Sequence, residues 1–301
     1  MSHPDAAALA GHNRLMDGLA DPAGSLLARH LSRAKEWFPH EMIPWENGAA
    51  HAPGDWTDAL PPGVASALWI NLLTEDNLPF YFHAIASTFA WDSAMGEWSR
   101  RWTAEEQRHS IVMRDWICLT RSLDLVALER ARMQQVCTGY SSGGRGTTLA
   151  DGLVYLTLQE LATRVSHWNT GKLLDPVGGA IMRRVAADEN LHFLFYRDLT
   201  SAALAIDPSE VVMAIDRQVT SFEMPGTGIA GFGRHAAAVA HAEIYDFRVH
   251  YQQILLPVVL THWGLADVEG LTSEAEAARD HALARIARVG RVARRMADSS
   301  P

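Results

Sequence analysis

Apolar residues recur along most of the chain at steps of three and four, the spacing of the buried face of an α-helix. Alternating runs of β-branched residues, which indicate strands, are almost absent. Breakers such as YSSGGRG and MPGTGIAGFG separate the periodic segments. We therefore predict an all-α fold, with helices at residues 24–38, 63–89, 94–118, 123–136, 149–172, 176–203, 208–222, 233–255 and 271–296.

The same pattern favours one domain, because no sequence repeat and no long linker interrupts it. We expect residues 1–22 to be a flexible N-terminal segment and residues 23–297 to form a single helical domain. The stretch GTGIAG, at 226–231, matches the glycine pattern of a dinucleotide-binding loop. That loop needs a preceding strand, whereas a helical segment and a proline precede this one, so we interpret it as a flexible turn.

Two predicted helices carry polar residues on a stripe that should be apolar. Glu106 and His109 lie on the stripe formed by Trp102, Met113 and Trp116. The second helix repeats the pattern, since Glu189 and His192 share a stripe with Val185, Tyr196 and Leu199. Residues three apart are neighbours on one helix face, so each Glu-x-x-His pair presents both groups together.

A single Glu-x-x-His pair is weak evidence, because surface pairs and core histidines produce it often. Here each pair follows a lone glutamate on a separate apolar helix, namely Glu75 and Glu160. An ionised carboxylate buried there would cost several kcal/mol unless it is paired or binds a metal. Two lone glutamates and two Glu-x-x-His pairs on four helices form the ligand pattern of ferritin-like di-iron and di-manganese proteins.

We therefore predict a dinuclear metal site with the ligands Glu75, Glu106, His109, Glu160, Glu189 and His192. Four carboxylates neutralise two divalent ions, and one imidazole completes the shell of each. Oxygen-rich ligation of this kind suits iron or manganese better than structural zinc. Open coordination positions would admit O2. The simpler alternative is an adventitious set of core polar residues.

The stretches TEDNLPFY, WTAEEQRHS, LQELATRVSHWNT and AADENLHF resemble the soluble acyl-acyl-carrier-protein (acyl-ACP) desaturases, and the likeness extends from about residue 25 to 295. The resemblance implies a ferritin-like helical bundle with a four-helix dimetal core and flanking helices. It also implies a dinuclear Fe2+/Fe3+ centre, with manganese as the alternative metal, and a homodimer.

The same resemblance implies roles for individual residues. Glu106 and Glu189 would bridge the ions, and Asp188 would orient a ligand histidine. Trp102 would lie on the side where electrons enter, and Thr163 near the oxygen-binding pocket. Each of the last three has a simpler interpretation: an ordinary exposed acid, plain core packing, and a hydroxyl bonded to its own helix backbone.

The resemblance implies an O2-dependent oxidoreductase that introduces a cis double bond into a saturated fatty acyl chain held on acyl carrier protein. Two external electrons would come from a ferredoxin-like donor. An apolar tunnel beside the metals would position the chain, and its candidate wall residues are Trp69, Leu72, Leu78, Phe82 and Met113. Leu161 and Leu191 stand where the family commonly has arginine, which bears on carrier docking and substrate length.

Three alternatives stay open at this stage. A hydroxylase or N-oxygenase on the same scaffold would use the same ligands. A ferritin-like iron-storage protein would need no organic substrate, although storage subunits are shorter. A helical partner-binding module would leave four buried glutamates unexplained.

Charge and composition narrow the partners and the location. The net charge of −9 argues against nucleic acid. One basic stretch, RIARVGRVARR, is either a solvated helix face or a docking surface for an acidic partner. This stretch, or the group Arg100, Arg101 and Arg108, is a candidate contact for the acidic carrier. No apolar run approaches the length of a membrane span, and the N-terminus does not resemble a secretory signal. With two cysteines, these features lead us to expect a cytoplasmic protein.

Overall fold

The computed structural model describes residues 13–48, 55–57, 60–139 and 148–298. Residues 1–12, and residues 140–147 of the predicted glycine-rich loop, lie outside the described part. Every regular element in the described ranges is helical, as predicted.

The helices are labelled in chain order. They are α1 (Ala20–Arg33), α2 (Pro62–Glu75), α3 (Leu78–Ala86), α4 (Ala94–Thr120), α5 (Leu125–Thr138), α6 (Leu149–Gly171), α7 (Pro176–Ile206), α8 (Pro208–Ser221), α9 (Phe232–His241), α10 (Phe247–Val249, continued as a π-helix over His250–His262) and α11 (Ser273–Asp298). Short 3-10 turns occupy Pro39–Glu41, Trp45–Asn47, Pro225–Gly228 and Leu265–Asp267.

The long helices begin at side chains that cap their free backbone N–H groups. Ser93 accepts a hydrogen bond from the third residue of α4, and Thr148 forms a capping box with Asp151 in α6. Asp175 and Asp207 cap α7 and α8, and a proline follows each. The predicted start of α8 at residue 208 is confirmed.

Two predicted helices are divided in the structure. The apolar run 63–89 breaks after Glu75, because the chain turns at Asp76 and Asn77 before α3 begins with a proline at its second position. The run 233–255 breaks at Glu243, whose φ of 55° is left-handed. The chain then resumes as α10, which contains Pro257 in its π-helical part.

The N-terminal boundary also differs from the prediction. Residues 13–18 are helical, and the side chains of Leu15 and Leu19 are buried in the core. Within the predicted flexible segment 1–22, residues 13–22 therefore belong to the packed structure, since two leucines gain from burial there.

The core consists of two apolar clusters with a polar layer between them. Helix α4 contributes Trp98 and Trp102 to one cluster and Met113 and Trp116 to the other, with its acidic and histidine residues between. Helix α7 runs in the opposite direction and crosses the same two clusters, from Ile181 to Leu199. The polar stripes of both helices therefore meet at one level of the bundle.

Helices α6 and α7 form a closely packed antiparallel hairpin. A Cβ atom on Gly179 would lie 2.8 Å from the backbone oxygen of Gly171, so glycine permits this approach. Helices α1 and α8 pack against the hairpin, and α11 packs against α8. Within the described ranges, no helix is both long and apolar enough to cross a membrane.

Candidate metal centre

The six predicted ligands converge in the polar layer. They form two groups, within each of which one ligand atom per residue lies within 4.8 Å of the others. The groups are Glu75, Glu106, His109 and Glu189, and Glu106, Glu160, Glu189 and His192. None of the six residues is more than 6% exposed. Because Glu106 and Glu189 belong to both groups, the arrangement is that of two adjacent ion sites with two shared carboxylates.

Both histidines direct Nδ1 toward the centre. Nδ1 of His109 lies 3.3 Å from Glu106 Oε2 and 3.5 Å from Glu189 Oε1. Nδ1 of His192 lies 2.8 Å from Glu106 Oε1 and 3.7 Å from Glu160 Oε2. The Glu-x-x-His spacing on α4 and α7 produces this geometry, because residues three apart share a helix face.

The atoms that face the centre fit a pair of cations. Although they lie close together, several have no hydrogen bond of normal geometry within the described structure: Glu106 Oε1, Glu160 Oε2, both carboxylate oxygens of Glu189, and Nδ1 of both histidines. Each buried polar atom left unsatisfied costs about 1–3 kcal/mol. Two divalent ions would satisfy these atoms and balance the four carboxylates, so the cluster can hold a dimetal centre.

The pKa values of the candidate ligands show that bound protons occupy the centre when no metal is bound. Burial, reinforced by the charge of Glu106, raises the pKa of Glu75 to about 8. Burial likewise raises the pKa of Glu160 well above its usual range. Burial alone would lower the pKa values of His109 and His192, but the surrounding carboxylates outweigh it and raise both. Without metal, protons therefore balance the clustered carboxylates, and metal binding must displace them.

An acidic residue lies behind each of the two histidines. Nε2 of His192 lies 2.9 Å from Glu105 Oε2, and Nε2 of His109 lies 3.6 Å from Asp188 Oδ2. Each acid directly precedes the candidate ligand glutamate of its own helix and contacts the histidine of the other. Asp188 is thus buried beside a histidine rather than exposed, and its predicted orienting role stays a prediction.

Sequence reasoning missed Glu105, although a signal was present. In both AEEQRH and ADENLH, two acidic residues stand side by side, and the second of them is the glutamate of the Glu-x-x-His pair. Burial alone would raise the pKa of Glu105, but hydrogen bonds with His192 and His30 outweigh it and lower the pKa below its usual range. Glu105 therefore stays ionised.

Arginines and aromatic N–H groups hold these two acids in place. Arg101 Nε donates to Glu105 Oε1 over 2.6 Å. Trp37 Nε1 and Arg108 donate to Asp188 over 2.8 and 3.1 Å, and Arg184 also pairs with it. Arg101 and Arg108, considered above as carrier contacts, are thus engaged with acids of the metal centre.

The lone carboxylates also have partners. Trp102 Nε1 donates to Glu160 Oε1 over 3.1 Å, and His167 Nε2 lies 3.3 Å from Glu75 Oε1. His167 Nδ1 lies 3.3 Å from the amide nitrogen of Asn71, which leaves Nε2 to donate to Glu75. The role of Trp102 in electron transfer stays a prediction. His167 was missed, although it lies seven residues after Glu160 on the same helix face.

A cavity of about 380 Å³ adjoins the centre. At its metal end it is lined by Glu75, Glu106, Glu189, Trp102 and Tyr196. It then follows α6 from Thr163 to Thr148, roughly 22 Å at 1.5 Å per residue. Its other walls are mainly apolar and include Leu78, Ile85, Phe89, Met95, Leu149, Leu153 and Leu156.

The residues that line the cavity can be compared with two predictions, one for Thr163 and one for the tunnel wall. Thr163 lines it near the metal end, while its hydroxyl donates to the backbone oxygen of Gln159 over 3.0 Å. Of the five candidate tunnel residues, only Leu78 lines the cavity; Leu72 and Met113 belong to the apolar cluster on the other side of the centre, Trp69 packs against that cluster, and Phe82 is not in the lining. The chain turns at Asp76 and Asn77, so residues of α2 and α3 do not share the face of one continuous helix. Met113, on α4, lies in the apolar cluster away from the cavity.

Residues 12–300 match the model of a family described as fatty acid desaturase. The chain is 40% identical over 280 residues to a Mycobacterium tuberculosis protein named "Putative acyl-acyl-carrier-protein desaturase DesA1", covering 89% of this chain and 82% of that one. It is 31% identical over 257 residues to the chloroplastic stearoyl-acyl-carrier-protein 9-desaturase 6 of Arabidopsis thaliana, covering 79% of this chain and 65% of that one.

A solved structure has a similar fold. It is described as the "X-ray structure of putative acyl-ACP desaturase DesA2 from Mycobacterium tuberculosis H37Rv". The match has a TM-score of 0.70 and 27% sequence identity, and it covers 84% of this chain and 96% of that chain.

Proposed function

Because the chain belongs to the fatty acid desaturase family, we propose that it is an O2-dependent acyl-ACP desaturase, an oxidoreductase that introduces a cis double bond into a saturated fatty acyl chain. The observation that carries this proposal is the buried group of four carboxylates and two imidazoles at the end of an apolar cavity. A hydrophobic chain in that cavity would meet the metal centre and little water.

We propose that the cofactor is a pair of iron ions, with manganese as the alternative metal. Glu75 and His109 would bind one ion and Glu160 and His192 the other, while Glu106 and Glu189 would be shared. When bound, such a pair supplies, with O2 and two electrons, the oxidizing power that no amino-acid side chain has.

The protein's own residues would position the substrate and exclude water. The apolar walls contributed by α3, α4 and α6 favour a methylene chain over water. Confining that chain in a narrow cavity fixes which carbons lie beside the carboxylates. Asp188 and Glu105 would orient the two ligand histidines. Thr163 would lie beside the reacting carbons, with its hydroxyl held by a hydrogen bond to the backbone oxygen of Gln159 and one from the Gln159 side-chain amide.

The partners follow from the proposed reaction. The acyl chain would arrive on acyl carrier protein, and a ferredoxin-like protein would supply electrons. We propose a homodimer in the cytoplasm as the working form, by resemblance to the family. Trp102, which binds Glu160, is the predicted aromatic residue on the side where electrons enter.

Product analysis tests the function. The iron-loaded protein would be supplied with O2, a reduced ferredoxin and a panel of acyl carrier protein thioesters of different chain length. Mass spectrometry should show the loss of two hydrogens from at least one chain, and the variant Glu160→Ala should give none. A product that gains oxygen would instead support a hydroxylase or N-oxygenase on this scaffold, and would contradict desaturation.

A further inference from the structure

The hydroxyl group of Tyr196 is buried at the metal end of the cavity. Tyr196 lies one turn after His192 on α7, is 0% exposed, and lines the cavity together with Glu106 and Glu189. Its phenolic oxygen has no hydrogen-bond partner of normal geometry in the described part of the chain. Buried hydroxyl groups nearly always have a partner, so one without a partner beside a cavity needs an explanation.

Two aromatic rings pack against the ring of Tyr196. Trp98 and Phe195 both meet the Tyr196 ring edge to face, with ring centroids 5.6 Å apart in each case. The indole N–H of Trp98 interacts with the phenolic oxygen as a donor, although neither atom has a hydrogen bond of normal geometry in the described structure. The rings fix the orientation of the phenol but offer no acceptor for its proton.

The phenol is available as a donor. Burial, with the nearby charge of Glu160, raises the pKa of Tyr196, so the hydroxyl keeps its proton at any physiological pH. Thr163, another hydroxyl residue that lines the cavity, already donates its proton to the backbone oxygen of Gln159. Tyr196 and Thr163 therefore differ, because the proton of Tyr196 has no acceptor among the described residues and is free for a molecule inside the cavity.

We propose that Tyr196 donates a hydrogen bond to a small oxygen-containing or anionic ligand, such as O2 or water, at the metal end of the cavity. This inference rests on the proposed function, since the ligand would lie beside the bound ions. It explains a tyrosine where phenylalanine would fill the same space without leaving a buried hydroxyl unsatisfied.

Azide binding tests the proposal without catalysis, because azide is a small anion that binds oxidised iron centres and changes their absorption. The iron-loaded wild type would be titrated with azide alongside Tyr196→Phe and the control Tyr155→Phe. Tyr155 also lines the cavity, but its hydroxyl donates to the backbone oxygen of Glu223 over 3.3 Å. We expect Tyr196→Phe to bind azide about tenfold more weakly, the effect of one lost hydrogen bond, and Tyr155→Phe to bind it as the wild type does.

Thermal unfolding of the metal-free proteins provides a second readout. If the hydroxyl serves a cavity ligand, Tyr196→Phe should unfold at the same temperature as the wild type or higher, since it removes an unsatisfied group. Equal azide affinities, or a lower unfolding temperature without an azide effect, would overturn the proposal. Loss of iron from Tyr196→Phe would also overturn it, by assigning the hydroxyl to metal retention. A wild type that binds no iron would contradict the proposed function itself.

Discussion

At the residue scale, four of the candidate ligands belong to only one of the two ion sites. Each of these four contacts a further polar group on the side away from the centre. The pairs are Glu75 with His167, His109 with Asp188, Glu160 with Trp102, and His192 with Glu105. Such outer contacts fix the orientation and the protonation state of ligand atoms, and their loss commonly weakens metal binding 10–100-fold.

Replacing His167 with alanine should weaken the binding of one ion by about 10–100-fold, because Glu75 loses the donor that fixes its carboxylate. Competition between the protein and a chelator for Fe2+ or Mn2+ would measure this loss. His167→Gln, which keeps a donor, should retain more affinity. Trp168→Ala, at an exposed neighbour on the same helix, is the matched control. Unchanged affinity for both ions in His167→Ala would argue against this role.

The stability of the metal-free protein should fall as pH rises from about 6 to 9. The folded-state pKa of Glu75, about 8, lies above its ordinary value of 4.5, so its neutral form stabilises the fold fully below pH 4.5 and this contribution is lost as pH rises through 8. The raised pKa values of His109 and His192 act in the same direction.

Thermal unfolding in the presence of a chelator would measure this slope, and Glu75→Gln should reduce it because glutamine stays neutral. The metal-loaded protein should show a smaller slope in the same range, since the ions replace the protons. A metal-free protein that becomes more stable toward pH 9 would contradict the electrostatic account.

At the element scale, periodicity and caps predicted the long helices well and the breaks poorly. The bounds of α6 and α8 agree with prediction to within one residue at each end, because Thr148 and Asp207 give clear start signals. Pro79 was a local signal for the break at Asp76 and Asn77, but it lies inside a long apolar run. Pro257 likewise marks irregular backbone in α10, but a proline does not by itself predict a π-helix.

The same distinction applies to the site. The four inner helices were identified because glutamate and histidine recur at a fixed spacing on stripes that are otherwise apolar. Glu105 and His167 were missed because their roles depend on how neighbouring helices are rotated, which the sequence of one helix does not specify. The cavity wall was predicted incorrectly for the same reason.

Helix α6 contains a glycine whose only evident use is to leave space. Gly152 lines the cavity, and a Cβ atom there would have no neighbour within 4 Å. Gly152→Ala should therefore stabilise the protein by about 0.5–1 kcal/mol through helix propensity. Gly152→Leu should shift the preference toward shorter acyl chains by filling the cavity.

Competition assays with mixed chain lengths would measure that shift, with Gly233→Leu as a control. Gly233 lies in helix α9, is absent from the cavity lining, and also has open space around its Cβ position. An unchanged chain-length preference in Gly152→Leu would show that the substrate does not reach this part of α6.

At the scale of the whole molecule, the protein has a net negative charge, but the C-terminal half of α11 carries a group of exposed arginines. Arg288, Arg291 and Arg294 are exposed on α11 and form no ion pair with any residue that the structure describes. Val292 lies among them and is 41% exposed. A basic surface around an apolar residue is suited to an acidic carrier, and exposed charges mainly steer association.

Arg291→Glu should raise the KM for acyl carrier protein thioesters several-fold at low salt and leave kcat unchanged, with the difference shrinking as salt screens the charges. Steady-state kinetics at two salt concentrations would measure this effect. The matched control is Arg130→Glu, an exposed arginine on α5. Equal KM values for the two variants would remove α11 from the docking surface.

The central claim is that side chains from four helices bind two ions together. Its most direct test is the iron content per chain, measured by elemental analysis after loading and removal of weakly bound metal, in the wild type, Glu160→Ala and His192→Ala. The account predicts two irons per wild-type chain and loss of the stoichiometric pair in both variants. Two tightly bound irons in both variants would contradict it.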